Sequence, residues 1–313
     1  MIPTPPSVLD TFLHSHDGVA PAADLRAILG GREAVDRLVR AGTVRSEGRG
    51  LFLSDRHSSS RTRLRVAVAR SSSAVGSHQT AAALHGIDGC TRPLDVRRAL
   101  DPPHVIVLPG RRAVGCIVHQ RDDLLAQEVG CIAGIPCTDV TRTVCDLAST
   151  AAPDVVERAI EWALRTDSTT ENRLWDTADR LSRPGRSGSR ILANILARRG
   201  PHAPPTESDA ETAFLQAVRH PRLPDPVRQR PIVIDGVAVH RIDFVYDWPW
   251  LAREVWVEVD GMSTHTGAVA LTRDLHRQNT LMRSRPVLLR FTSLDVYRRP
   301  RYVRQETWHH LGL

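Results

Sequence analysis

Two acidic stretches flank a short turn in the last third of the chain. Val239-His-Arg-Ile-Asp-Phe-Val-Tyr246 carries Asp243, and Glu254-Val-Trp-Val-Glu-Val-Asp-Gly261 carries Glu258 and Asp260, with His265 just beyond. Carboxylates held a few ångströms apart bind a hard divalent cation through oxygen, and such an ion activates water and polarises a phosphoryl oxygen. Both flanks alternate apolar and polar residues with period two, which predicts two half-buried strands joined by a short connection at Asp247-Trp-Pro-Trp250. Val255, Val257 and Val259 then share one face and Trp256, Glu258 and Asp260 the other, while Arg241, Asp243 and Val245 share a face of the incoming strand. With the turn centred near Pro249 and Trp250, Asp243 stands opposite Trp256 and diagonal to Glu258, at about 5–8 Å. That separation lets one cation be shared.

The elements that must position this hairpin yield to the same reasoning. Thr206 or Ser208 caps a helix running through Glu211, Phe214, Leu215 and Val218, and a strand comes next at 229–234. After the hairpin come a helix from about Ala268 to Met282, a strand at Val287-Leu-Leu-Arg-Phe291 and a final segment ending in Trp308. The order predicts a mixed α/β sandwich for residues 205–313.

Residues 206–300 resemble the very-short-patch-repair endonuclease-like domain, a branch of the restriction-endonuclease-like PD-(D/E)xK fold. The matching residues are Ser208-Asp-Ala-Glu211, Arg241-Ile-Asp-Phe244, Val257-Glu-Val-Asp-Gly261, His265, Arg273-Asp-Leu-His-Arg277, Leu288-Leu-Arg-Phe-Thr292 and Asp295-Val296. The resemblance implies a central mixed sheet flanked by helices and phosphodiester cleavage dependent on Mg2+ (or Mn2+). It makes Asp243 and Glu258 the metal ligands, Glu211 the helix-borne acid, and His265 the residue that takes a proton or contacts phosphate. Asp260 stands where the wider family has lysine; it can add a ligand or act as a base, but cannot stabilise negative charge. Retained catalysis and a degenerate nuclease fold kept for binding both remain open.

At the other end, Val8 to His16, Pro21 to Leu29 and Arg32 to Ala41 read as three helices, and 43–53 as a hairpin around a glycine-containing turn. That order is that of a winged helix-turn-helix, in which Arg32 and Arg37 face a DNA groove and Arg45 and Arg49 meet backbone phosphate. A helical packing module with a solvated arginine face is the alternative. From Asp17-Gly18-Val19 through Leu38-Val-Arg-Ala-Gly-Thr-Val44 to Gly48-Arg-Gly-Leu-Phe52 the chain resembles the N-terminal winged helix of the AbiEi type IV antitoxins. The likeness runs on more loosely to Leu147. It implies promoter DNA as a partner and raises the question of a toxin partner or a homodimer. The expected domains are 1–56, a mixed α/β region at 57–150, a helical connector at 151–204 and the endonuclease-like domain at 205–313, making a multi-domain α/β chain.

Within the middle region, 104–108, 114–119 and 129–133 read as strands and Thr138 to Ala148 as a closing helix capped by Thr138. Arg142 and Asp146 on it read as a surface ion pair. The spacing of His78, His85 and His119 supports no site, and each reads as a structural histidine. The stretch Ser182-Arg-Pro-Gly-Arg-Ser-Gly-Ser-Arg190 reads as a solvated linker.

Composition narrows the classes. The net charge is +7 and all 42 basic residues are arginine, so no mechanism here uses a lysine. Arginine's planar fork suits phosphate and guanine edges, and Arg277, Arg290 and the arginines up to Arg304 form a second candidate DNA surface. A high-GC genome that substitutes arginine for lysine throughout is the favoured explanation of the missing lysine. Five cysteines without a C-x-x-C pair read as buried thiols, and a Cys131/Cys137/His119 metal site is disfavoured. No apolar run approaches the roughly 18 residues of a membrane span, and the start lacks signal-peptide regions, so the expectation is a cytoplasmic protein with no membrane partner. No glycine-rich phosphate loop or nucleophile motif points to a small-molecule enzyme.

Overall fold

The computed structural model describes residues 7–71, 73–89, 93–183, 185–200, 202–234, 236–261, 279, 281 and 285–313. The chain is mixed α/β and divides into two compact units, 1–152 with 172–192, and 153–171 with 193–313. Among the described residues no helix is long and apolar enough to cross a membrane.

The first unit opens with α1 (Val8–Ser15), β1 (Val19–Pro21), α2 (Ala22–Leu29), α3 (Arg32–Arg40), β2 (Arg45–Gly48) and β3 (Leu51–Leu53). The three helices and the hairpin match expectation. β1 does not, because a three-residue strand carries no readable period; it pairs with β3 and closes a small sheet in the order β1-β3-β2. Leu13, Leu25, Val35 and Val44 form the core beneath it. Gly18, at φ +79°, can be nothing larger: a Cβ there would lie 2.5 Å from the Ser54 carbonyl oxygen.

A second sheet comes next, built from β4 (Val75–Gly76), β5 (His104–Val107), β6 (Ile117–Gln120), β7 (Val129–Ile132) and β8 (Ile135–Thr138), in the order β6-β5-β4-β8-β7. Its helices are α4 (Thr62–Arg70), α5 (His78–His85), α6 (Pro93–Leu100) and α7 (Val140–Leu147). Asp139, not Thr138, caps α7: its carboxylate accepts from the Arg142 N–H, while Thr138 ends β8. Cys137 and Cys145 are buried as expected, but Cys131 is exposed on β7 and Cys116 half-buried. Cys90 lies outside the described residues.

Two further expectations fail in this unit. Arg142 and Asp146 do pair, but as a buried cluster rather than on the surface: Arg142 is 0% exposed and Asp146 2%. The stretch at 182–190 is not a solvated linker. Arg186 bonds Asp123 and Asp146, and Gly188, at φ +91°, packs so closely that a Cβ would lie 2.4 Å from the Ala148 carbonyl carbon. Two of its features that suggested a flexible loop, glycine and arginine, are the ones that dock it.

The second unit contains α8 (Pro153–Arg165), α11 (Asp209–Val218) and a four-stranded sheet, β12-β11-β10-β9. Between α8 and α11 the chain forms α9 (Glu171–Leu181) and α10 (Ser189–Arg199). The strands are β9 (Val227–Ile234), β10 (Val237–Tyr246), β11 (Val255–Asp260) and β12 (Val287–Thr292), followed by α12 (Ser293–Arg298) and α13 (Pro300–His310). β9, β10 and β11 are antiparallel and β11 with β12 parallel. Val255, Val257 and Val259 pack with Phe214 and Leu215 of α11 and Phe291, as alternation predicted. Trp256 lies in a separate cluster with Ile232, Ile242 and Val245. The expected helix at 268–282 falls almost entirely outside the described residues.

Candidate active site

The hairpin register decides which acids meet. Val245 pairs with Trp256 and Phe244 with Val257, so one further step sets Asp243 opposite Glu258. The expected pairing of Asp243 with Trp256 is therefore wrong by two positions. Centring the turn one residue later, between Trp250 and Leu251, slides the register by two. The correction brings the two acids directly across from each other.

Alternation also breaks at Asp243. Ile242 packs with Val245 and Trp256, whereas Phe244 packs with Phe214, so strict alternation from Arg241 to Val245 does not hold. Opposite the break, Gln229 of β9 has φ +50°, a left-handed conformation that marks local irregularity in a strand. There the Asp243 Oδ2 accepts from the Val259 N–H at 2.8 Å, and the Gln229 side-chain amide donates to Asp243 at 3.4 Å and to Glu211 at 2.9 Å. Gln229 thus ties the strand acid to the helix acid.

Glu211 is placed by the start of α11. The Ser208 Oγ accepts from the Glu211 N–H at 3.1 Å, and the Glu211 carboxylate accepts from Ser208 Oγ at 2.9 Å and the Glu207 N–H at 2.8 Å. This is a capping arrangement that would account for a glutamate at this position on its own. Capping does not require burial, yet Glu211 is only 5% exposed and bonded to Gln229. Burial, followed by the Asp243 charge, pushes the Glu211 carboxyl up to about 7. Burial foremost, with the Glu258 charge also contributing, raises Asp243 as well. Among the described residues, the hydrogen bonds to Glu211 and Asp243 come from neutral donors.

Glu258 and Asp260 have basic neighbours. The His240 Nε2 lies 2.5 Å from Glu258 Oε1, and the Arg290 Nε 3.5 Å from its Oε2. Arg290 also forks onto Asp260 at 2.8 and 3.1 Å, because β12 runs parallel to β11 with Arg290 beside Glu258. Arg290 therefore engages acids rather than standing clear for DNA. Glu207, Gln229, His240, Arg241, Asp243, Glu258 and Asp260 line one open cleft of about 520 Å³. A larger cleft of about 640 Å³ at Arg198, Arg199, Arg219 and Arg228 has three of its arginines committed to Glu157 and Glu161, and the carboxylate in its lining, Asp225, is paired with Arg219.

No family model matches this chain, and no curated protein matches it.

The structure thus brings Glu211, Asp243, Glu258 and Asp260 into one neighbourhood. His265 and Arg277 lie outside the described residues. Arg32, Arg37, Arg45 and Arg49 are all exposed in the first unit. Arg32 lies 3.9 Å from Asp36, Arg45 is paired with Glu47 and Asp55, and Arg49 sits at the hairpin turn with φ +52°. Sequence reasoning missed His240 and Gln229. His240 stands next to a register shift between Ala238 and His240, so simple alternation could not assign it to the acidic side. Gln229 carries no motif signal. In the first unit the structure brings together His78 and His119, which sequence spacing did not connect: with His104 they offer one ring nitrogen each, all within 4.8 Å of one another.

The raised Glu211 pKa has a sign that can be measured. A carboxyl that holds its proton more tightly in the folded chain than at its ordinary value of 4.5 favours the folded state at low pH. That contribution is lost as pH rises through about 7, amounting to roughly 3 kcal/mol by linkage. We expect denaturation in metal-free buffer to show falling stability across that window and the Glu211→Gln variant to show a flatter profile. An unchanged slope in the variant would assign the pH dependence elsewhere.

Proposed function

We propose that this chain is a DNA-directed protein. In this reading the second unit is a restriction-endonuclease-like domain that hydrolyses phosphodiester bonds with Mg2+ (or Mn2+), and the N-terminal helices and hairpin are a winged helix that holds DNA. The observation that carries the reading is the convergence of Glu211, Asp243 and Glu258, from α11, β10 and β11, on one neighbourhood where two of them are hydrogen-bonded by neutral donors. Buried carboxylates are ordinarily paired with a cation. The donor set is all oxygen, which suits Mg2+ or Mn2+. The resemblance of 206–300 to the very-short-patch-repair endonucleases points the same way.

Asp243 and Glu258 are the residues that would hold the ion, with Glu211 supporting them. When bound, the ion supplies charge stabilisation at the scissile phosphate and a lowered pKa for water. The chain's own groups do the rest. Gln229 fixes Asp243 and Glu211 relative to each other, and the Val259 N–H fixes the rotamer of Asp243. His240, against Glu258 and lining the cleft, is the described residue best placed to carry a proton. Arg290 supplies the positive charge that the absent lysine would bring, from the neighbouring strand.

A second reading has its own support. Glu258 and Asp260 are engaged by His240 and Arg290, and an acid replaces the family's lysine. Both suit a binding-only, antitoxin-like repressor with a degenerate nuclease fold. Incubating the purified chain with plasmid and linear DNA, with and without Mg2+ or Mn2+, separates the two: metal-dependent cleavage supports the nuclease, and binding with no cleavage in either metal supports the repressor. In both readings Arg37→Ala and Arg49→Ala should weaken DNA binding evenly across sequences. Each should also reduce the slope of log affinity against log salt by about 1.

A further inference from the structure

We propose that His78, His104 and His119 form a binding site for one transition-metal ion of the zinc class, in the N-terminal unit and independent of the nuclease reading. The three come from different elements that the second sheet gathers. His78 opens α5 directly after β4, and the Ser77 N–H donates to the His104 carbonyl at 3.0 Å. β5 and β6 are parallel, with Ile106 beside His119, so His104 and His119 are diagonal neighbours. The outcome is a ring nitrogen from each histidine within 4.8 Å of the other two.

The hydrogen bonding around these rings is incomplete. His104 Nδ1 and His119 Nε2 lie 3.0 Å apart and satisfy each other by sharing one proton. His78 is 0% exposed, and its Nδ1 lies 2.9 Å from Ser77 Oγ. Its Nε2 is buried with no hydrogen-bond partner among the described residues. A buried polar atom left in that state is destabilising. Donation from Nδ1 to Ser77 leaves the Nε2 lone pair free, the tautomer that an outer hydrogen bond fixes in metal-ligating histidines.

Imidazole suits zinc, copper, nickel and iron rather than magnesium or calcium. Zn–N bonds of about 2.0–2.1 Å bring tetrahedral ligand nitrogens to about 3.3 Å from one another. The 3.0 Å pair is within a few tenths of an ångström of that spacing. His78 stacks on His119 with ring centroids 3.7 Å apart and planes 17° from parallel, so one of the two must rotate out of the stack to aim at a common point. Arg142 nearby is already matched by three carboxylates. Arg121 Nε is buried without a partner among the described residues, which favours a small anion as the fourth ligand.

The test uses the full chain, stripped by chelator and carrying Asp243→Asn and Glu258→Gln so that the carboxylate cleft contributes no binding. Titration with Co2+ should give one equivalent with the visible absorption of four-coordinate cobalt, displaced by Zn2+. Affinity should fall by at least about 10²-fold in His104→Ala and in His119→Ala. It should be unchanged in His85→Gln, whose histidine bonds the Thr138 carbonyl on the far end of α5. Since removing His78 opens a cavity, X-ray absorption on the zinc-loaded chain provides the measurement that does not depend on a variant folding: three imidazole nitrogens are expected. No binding, binding retained in both alanine variants, or two or fewer imidazoles overturns the site.

Discussion

Under the proposed nuclease function, the Asp243→Asn variant is expected to lose metal-dependent DNA cleavage by about 10²–10³-fold or more while keeping both its fold and its affinity for DNA. Asn preserves the size of the side chain and an oxygen that can accept from the Val259 N–H at the 2.8 Å position. The loss is one of charge. Burial raises the Asp243 carboxyl, and the adjacent Glu258 adds to the shift, so the ionised form is disfavoured in the folded chain. Replacing it should leave thermal stability at neutral pH unchanged or higher, whereas breaking a structural buried ion pair lowers stability. Loss of cleavage with gain of stability is therefore the signature of a functional acid. Glu258→Gln should lose cleavage similarly but not gain stability, since it weakens the contacts with His240 and Arg290. Cleavage persisting in Asp243→Asn would rule out the site, and lower stability in that variant would make Asp243 a structural residue.

The hairpin was legible because its period-two pattern ran long enough on both strands to fix faces: Val255, Val257 and Val259 went to the helix side and Trp256 away from it. Register was not legible, because it depends on a turn whose centre Asp247-Trp-Pro-Trp250 does not specify to the residue. A one-residue shift of that centre moved Asp243 from Trp256 to Glu258, which strengthened the site. The N-terminal helices were readable from their glycine stops, while β1 and β4 were too short to carry any period. The histidine trio could not be found by spacing, since His78, His104 and His119 meet only after β4, β5 and β6 have paired. The arginines misled in one consistent way. Where no lysine is used, arginine fills interior and surface positions alike, so sequence alone cannot separate Arg142, fully buried, from Arg37, exposed.

Arg142 carries the largest stability effect we expect. Its Nε donates to Asp146 at 2.9 Å, one terminal nitrogen to Glu128 at 3.0 Å and the Asp123 carbonyl at 3.1 Å, and the other to the Asp123 carboxylate at 2.7 Å. Arg180 and Arg186 complete the cluster through Glu128, Asp123 and Asp146, so three acids are balanced by three arginines. Arg142→Ala leaves the acids one positive charge short in a site closed to water and opens a cavity as well, a loss of about 3–5 kcal/mol. The Arg142→Met variant fills the space but restores no charge, so it should recover only the packing part. Burial already raises the Asp146 carboxyl, and the Arg142 charge holds that rise in check. Removing Arg142 therefore makes the acid still easier to protonate, and the deficit of the variant should shrink as pH falls. Chemical denaturation at neutral and mildly acidic pH measures both. An exposed pair four residues apart on a helix contributes about 0.3–0.5 kcal/mol, so a loss of that size, without pH dependence, would mean that the cluster is not sealed from solvent.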